Sequence, residues 1–189
     1  MQTEALQGGF ADAPLEAARA FRAAMGAMAR PGRIETLDGA TPPAPLSPAA
    51  GALILTLCDP DTPVHLAGAH DVPAVRDWIA FHTGAPVAGT DEAEFAVGDW
   101  AALQPLDRFR VGTVEYPDRS ATLIVEMTGL EARGALLRGP GIKDSAWLSL
   151  PEVDAFRRNA ALFPLGCDFF FTCGDKVAAL PRSTQVEDG

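Results

Sequence analysis

A chain of 189 residues, 48% hydrophobic and 21% charged, with 18 Gly and 16 Pro, has an ordinary globular composition and the length of a single domain. Its formal charge of −10 argues against a nucleic-acid binder held by phosphate contacts and against docking on an anionic membrane surface. The three cysteines form no CxxC pair, which fits a reducing cytoplasm better than a disulfide framework.

No charged-then-apolar leader opens the sequence and no apolar run approaches the ~18 residues of a membrane span, so a cytoplasmic location is expected. Residues 1–11 are small and polar and read as a loose arm. Asp12-Ala13-Pro14 supplies a capping oxygen and then a proline in the first turn, a helix start. Leu15, Ala18, Phe21, Met25 and Met28 recur at helical spacing, giving residues 15–28 one apolar face, and Arg30-Pro31-Gly32 stops the helix. A proline-rich loop (41–48) follows. Residues 51–58 fit either a buried strand or the last turns of a helix, since periodicity does not separate the two in a short apolar run. Asp59 to Pro63 is a turn, and Val64-His65-Leu66 a short strand.

Asp71 is placed to cap a second helix carrying Val75, Trp78, Ile79 and His82 on one face and closed by a left-handed Gly84. Residues 94–98 and 121–130 read as strands, 100–109 as a short helix or loop, and 134–138 as a strand pairing with 121–130. Gly139-Pro140-Gly141 is a tight turn. Residues 151–161 form a third helix, with Pro151 at its first position.

The chain is organised around its last fifth. Phe169-Phe170-Phe171-Thr172-Cys173 and Lys176 to Leu180 flank Gly174-Asp175, a hairpin signal. Three consecutive phenylalanines alternate faces, so both faces of their strand must be covered, which makes it a central strand of a layered α/β domain. Pro181 ends the second strand, and Arg182-Ser183-Thr184 then emerges as a polar segment at the sheet edge.

No metal site is expected, because Cys58, Cys167 and Cys173 lack ligand spacing. Gly134 and Gly139 have the spacing of a phosphate loop, but Pro140-Gly141 stands where Lys and then Ser or Thr are needed, so a Walker loop is rejected. Gly139 to Ile142 reads as a turn between strands, with an anion cradle beside Arg138 and Lys143 as the alternative. The residues that follow a glycine or proline stop, or lead into one, are the candidates for holding an anion or a neighbouring subunit: His82, Thr83, Arg138, Arg182, Ser183 and Thr184. Alanine at Arg182 is expected to weaken assembly while leaving the fold intact.

Seven segments taken in order resemble one family. They are Phe21-Arg22 with Met25, Met28, Pro31 and Gly32; Leu57 to Asp59 with Asp61 to Val64; Phe81 to Pro86; Phe95 to Val97 with Ala121 to Leu123; Gly139 to Ile142; Phe163 to Gly166 with Asp168; and Pro181-Arg182 with Thr184, Val186 and Glu187. The chain resembles the H-subunit (PhnH) family of the bacterial carbon–phosphorus lyase system, from Phe21 to Glu187. The resemblance implies an accessory subunit of organic phosphonate catabolism, acting with the G, I and J subunits. It would support formation of α-D-ribose 1-methylphosphonate 5-triphosphate from ATP and methylphosphonate rather than perform the chemistry. It also implies a three-layer, sandwich-like fold similar to the large domain of pyridoxal-phosphate-dependent transferases, a homodimer when isolated, and no bound pyridoxal phosphate. No catalytic residue is implied. The alternative is a stand-alone small-molecule or anion-binding protein, or an enzyme on a degenerate pyridoxal-phosphate scaffold.

Overall fold

The computed structural model describes residues 7–189. In chain order the elements are α1 (Ala13–Ala29), β1 (Glu35–Thr36), α2 (Pro48–Leu57), β2 (Val64–Leu66), α3 (Pro73–Thr83), β3 (Phe95–Asp99), β4 (Thr122–Glu126), β5 (Ala135–Arg138), β6 (Ala146–Leu148), α4 (Val153–Ala160), β7 (Asp168–Cys173), β8 (Lys176–Leu180) and β9 (Gln185–Glu187). Six strands make a mixed sheet in the order β1-β8-β7-β4-β3-β2, and β6-β5-β9 make a second, small sheet. Strands β2, β3, β4 and β7 run parallel, while β8 and β1 are added antiparallel.

The phenylalanine run behaves as the alternation rule requires. Phe170 is in register with Ile124 and Ala179, and this row faces α1, α2 and α3. Phe169 and Phe171 point the other way, onto α4 and the small sheet. There Phe156 of α4 meets both rings edge-on, at 5.0 and 5.6 Å between centroids. One sheet thus separates two apolar cores, and each buried phenylalanine contributes about 1.5–3 kcal/mol to holding its layer. Gly174, at φ 59°, turns the hairpin from β7 into β8.

Several local expectations are corrected. Of the two readings open for 51–58, the helical one holds: residues 51–57 end α2 and Cys58 is its C-cap, the helix being started by the Ser47 hydroxyl, which accepts from Ala50 N at 3.1 Å, and by Pro48 in the first turn. Strand β5 does not pair with β4. Its partners are β6 and β9, because β4 already has β3 and β7 on its two edges. Val72, not Asp71, precedes α3, since the Asp71 carboxylate is taken by the Arg76 guanidinium. Helix α4 begins at Val153, two residues after Pro151.

The first helix shows the largest departure. Asp12 caps it as expected, but the residues it buries are Ala20, Ala24 and Ala27. These small side chains let its backbone lie close on α2 and β8. Leu15, Phe21 and Met25, which the helical spacing singled out, are 46%, 49% and 51% exposed. Of the arm expected over residues 1–11, residues 1–6 lie outside the described residues. Residues 7–10 are held: Thr41 N donates to Gly8 O at 2.9 Å and Phe10 packs on the core.

Candidate functional site

The base of the β7–β8 hairpin is closed by a charged pair. Asp168 opens β7 and Arg182 follows β8 by two residues, so the hairpin register sets them side by side. Arg182 N and Nε donate to Asp168 Oδ1 at 2.8 and 3.1 Å, and Nη2 donates to Oδ2 at 2.5 Å. The same guanidinium reaches the Pro117 carbonyl and the Ser120 hydroxyl. With only 13% of its side chain exposed, Arg182 ties the hairpin to the 117–120 segment. The expected separation of assembly from folding at this residue does not fit its position.

The polar residues after Arg182 turn toward β5. Thr184 is buried, and its hydroxyl has no hydrogen-bond partner among the described residues. Arg138 is in register with Gln185 and lies 3.8 Å from the Glu187 carboxylate. Ser183 lines an open pocket of about 350 Å³ with Met25, Met28, Pro140, Gly141, Asp168 and Pro181. Four segments close around this pocket: the end of α1, the Gly139-Pro140-Gly141 turn, the start of β7 at Asp168 and the segment after β8. Gly141 is required there, because at φ 82° a Cβ would collide with the carbonyl oxygen of Ala29. The exposed stripe of α1 runs into the same pocket through Met25.

His82 and Thr83 belong to another neighbourhood. The His82 ring lies against Trp78 and Phe81, and its Nε2 is 3.3 Å from the Gln7 carbonyl. Thr83 Oγ1 donates to Ile79 O and accepts from Ala85 N, which finishes α3. The structure therefore brings Arg138, Ser183 and Thr184 together, places Arg182 beside them but facing Asp168, and leaves His82 and Thr83 out.

The carboxyl end of the parallel strands, where open α/β sheets hold anions, is occupied from within. Glu126 at the end of β4 accepts from Ser47 N at 2.7 Å, at the start of α2, and from the Thr172 hydroxyl at 2.9 Å. An anion arriving there meets a carboxylate.

A second pocket, of about 370 Å³, opens beside α4. Leu106, Val111, Ala155 and Leu162 line it with Cys167 and Gln104, and Gln104 Nε2 is buried without a partner. Burial pushes the Cys167 thiol up to about 12, and Cys58 likewise to about 12, with Asp59 and Glu94 adding to the effect. Neither is a thiolate at neutral pH. Among the described residues no group of three His, Cys, Asp or Glu could hold a metal ion.

Reading the residues one by one missed Met25, Met28, Pro140 and Gly141 as a set. They are apolar, and only their convergence around the pocket marks them out.

A family model described as bacterial phosphonate metabolism protein (PhnH) matches residues 8–187. A curated relative from Rhizobium meliloti (strain 1021), the alpha-D-ribose 1-methylphosphonate 5-triphosphate synthase subunit PhnH, is 47% identical, with 98% of each chain covered. A putative C-P lyase subunit protein, HtxG, from Stutzerimonas stutzeri is 30% identical, with 94% of each chain covered.

Proposed function

The chain belongs to the PhnH family of bacterial phosphonate metabolism proteins, and we propose that it is an accessory subunit of the carbon–phosphorus lyase system. In this role it supports formation of α-D-ribose 1-methylphosphonate 5-triphosphate from ATP and methylphosphonate. The observation that carries this reading is the extent of the likeness: two relatives whose names call them subunits align with 98% and 94% of the chain. The whole folded unit, rather than one grafted motif, is held in common with them.

The finer reading is that the chain assembles with the G, I and J subunits in the cytoplasm and forms a homodimer when isolated. Its contribution is organising rather than catalytic. A location in the cytoplasm is supported by the free cysteines, of which Cys58 and Cys167 are buried. Among the described residues, no helix is long and apolar enough to cross a membrane. The fold is read as a cofactor-free relative of the pyridoxal-phosphate transferase large domain. Two features support this: a mixed sheet covered on both faces, and two lysines, Lys143 and Lys176, that are exposed rather than desolvated as a Schiff-base lysine must be.

Co-expression of the tagged chain with the G, I and J subunits, followed by the mass of the eluted species, tests the proposal. A single complex of defined proportions supports it, and a chain that elutes without the other subunits refutes it.

The pocket beside α4 favours one second reading, a small-molecule-binding protein. Its mostly apolar walls, with Arg158 on the lining and the unpartnered Gln104 amide as a donor, suit a small ligand that presents an oxygen acceptor. Thermal stabilisation of the isolated chain by methylphosphonate or ATP would favour that reading. A ligand at 100 times Kd adds about 2.7 kcal/mol.

A further inference from the structure

We infer that the outward face of α1 docks another protein subunit of the same assembly, one that presents an apolar ridge bearing carboxylates. The inference rests on the accessory-subunit reading and adds the surface and the chemistry of the partner to it.

The first support is the apolar stripe. Leu15, Phe21 and Met25 are each about half exposed on a helix whose opposite side is anchored by alanines. Their spacing, with Ala18 between, is that of a helix seam. Met25 and Met28 carry the stripe into the pocket walled by Pro140 and Pro181, so a ridge laid along α1 finds a socket at its end. Leucine, phenylalanine and flexible methionine offer little to a phosphate and much to a protein side chain.

The second support is an uneven use of arginine. Of the 13 arginines, eight form ion pairs among the described residues. Arg108 and Arg119 sit over the rings of Phe109 and Tyr116. The others, Arg19, Arg22 and Arg30, have no acidic partner among the described residues, and all three lie on α1 or at its C-terminal cap. In a chain of net charge −10, the unpaired guanidiniums are gathered beside the exposed apolar stripe. Arg22 lies among the apolar residues, so covering the stripe buries a charge that a partner carboxylate must meet.

A second copy of the chain fits this face less well. A two-fold contact is isologous, so one centred on Phe21 sets the two Arg22 side chains beside one another.

The test uses the complete set of subunits. The tagged chain is co-expressed with the G, I and J subunits as wild type, as Met25→Asp, as Arg22→Glu and as Phe163→Asp, the last altering an exposed residue away from α1. Thermal melts of each isolated variant report folding. We expect Met25→Asp and Arg22→Glu to reduce co-elution tenfold or more, and Phe163→Asp to leave it unchanged. Because Arg22→Glu changes an exposed charge without touching the core, it reports on the surface even if Met25→Asp lowers stability. If wild type and both α1 variants co-elute alike, the docking surface is elsewhere and the subunit reading stands. If wild type itself does not co-elute, the subunit reading fails and this inference with it. If the variants turn an isolated dimer into monomer while the complex survives, the face joins two copies of this chain and the inference is overturned.

Discussion

Asp168 accepts three hydrogen bonds from Arg182, two from the guanidinium and one from the backbone amide, and the pair closes the open end of the hairpin. Removing one partner strands the other in a largely covered position. Arg182→Ala is expected to cost about 2–4 kcal/mol, because it uncovers a carboxylate and frees the Ser120 hydroxyl and the Pro117 carbonyl. Lysine keeps the charge but not the fork, so Arg182→Lys should recover less than half of that. Urea titrations of both variants measure it. Wild-type stability in Arg182→Ala would return this residue to the set available for partners.

Glu126 provides a second ledger of polar contacts. Its carboxylate accepts from Ser47 N at the start of α2 and from the buried Thr172 hydroxyl. A negative charge at a helix N-terminus is favourable, and each charge-assisted bond adds to it. Glu126→Gln keeps the shape and loses the charge, with an expected cost of about 1 kcal/mol. Glu126→Ala leaves the Thr172 hydroxyl with only its long, 3.5 Å bond to the Val125 carbonyl and removes the acceptor of Ser47 N, and should cost about 2–3 kcal/mol. Equal melting temperatures for the two variants would mean that the charge, not the hydrogen bonds, sets the energy.

The hairpin and the two-sided burial of Phe169 to Phe171 were legible because alternation is a local rule and both faces carried bulky apolar groups. The orientation of α1 was not, because it has two apolar faces and periodicity does not rank them. What decided the matter was the size of Ala20, Ala24 and Ala27, which lets the helix sit close to β8. The pairing of β5 with β6 and β9 rather than β4 depended on which strand edges were already occupied, information that no window of sequence contains. Arg138 stands beside the Gly139-Pro140-Gly141 turn by sequence alone, whereas the approach of Ser183 to that turn is a tertiary contact that no local pattern signals. The burial of Arg182 against Asp168 was hidden by their separation of 14 positions, although the hairpin register brings the two together.

The thiols divide by burial. Cys58 and Cys167 are buried and Cys173 is half-buried, so at neutral pH a thiol reagent should modify Cys173 first and reach the other two only on unfolding. The same burial predicts an alkaline weakness. Folding raises both thiols from about 9 to about 12, so the unfolded chain loses these protons first. Their contribution to stability is complete below pH 9 and falls away as the pH rises from there toward 12. One pH unit into that window the loss is roughly 1.4 kcal/mol per thiol. Urea midpoints at pH 8 and pH 10 should therefore differ more for wild type than for the Cys58→Ala, Cys167→Ala double variant. Parallel pH profiles would show that these thiols do not set the alkaline limit.

His82 is expected to anchor the start of the chain rather than a ligand. Its ring leans on Trp78, and Trp78 Nε1 donates to the Gln7 carbonyl at 3.0 Å while His82 Nε2 lies 3.3 Å from the same oxygen. Gly9 passes so close to the imidazole that a Cβ there would come within 2.7 Å of it. Removing the ring by His82→Ala leaves the tryptophan bond in place, so the global cost should stay near 1 kcal/mol or below. The local effect should be larger. Backbone amides from Gly8 to Phe10, and the Thr41 amide that donates to Gly8, should exchange with deuterium markedly faster, while amides of β7 and β8 keep wild-type protection. Co-elution with the other subunits should be unaffected, since neither His82 nor Thr83 lies on α1 or its pocket. A His82→Ala variant that keeps wild-type amide protection at residues 8–10 but loses the complex would place this histidine at a partner surface after all.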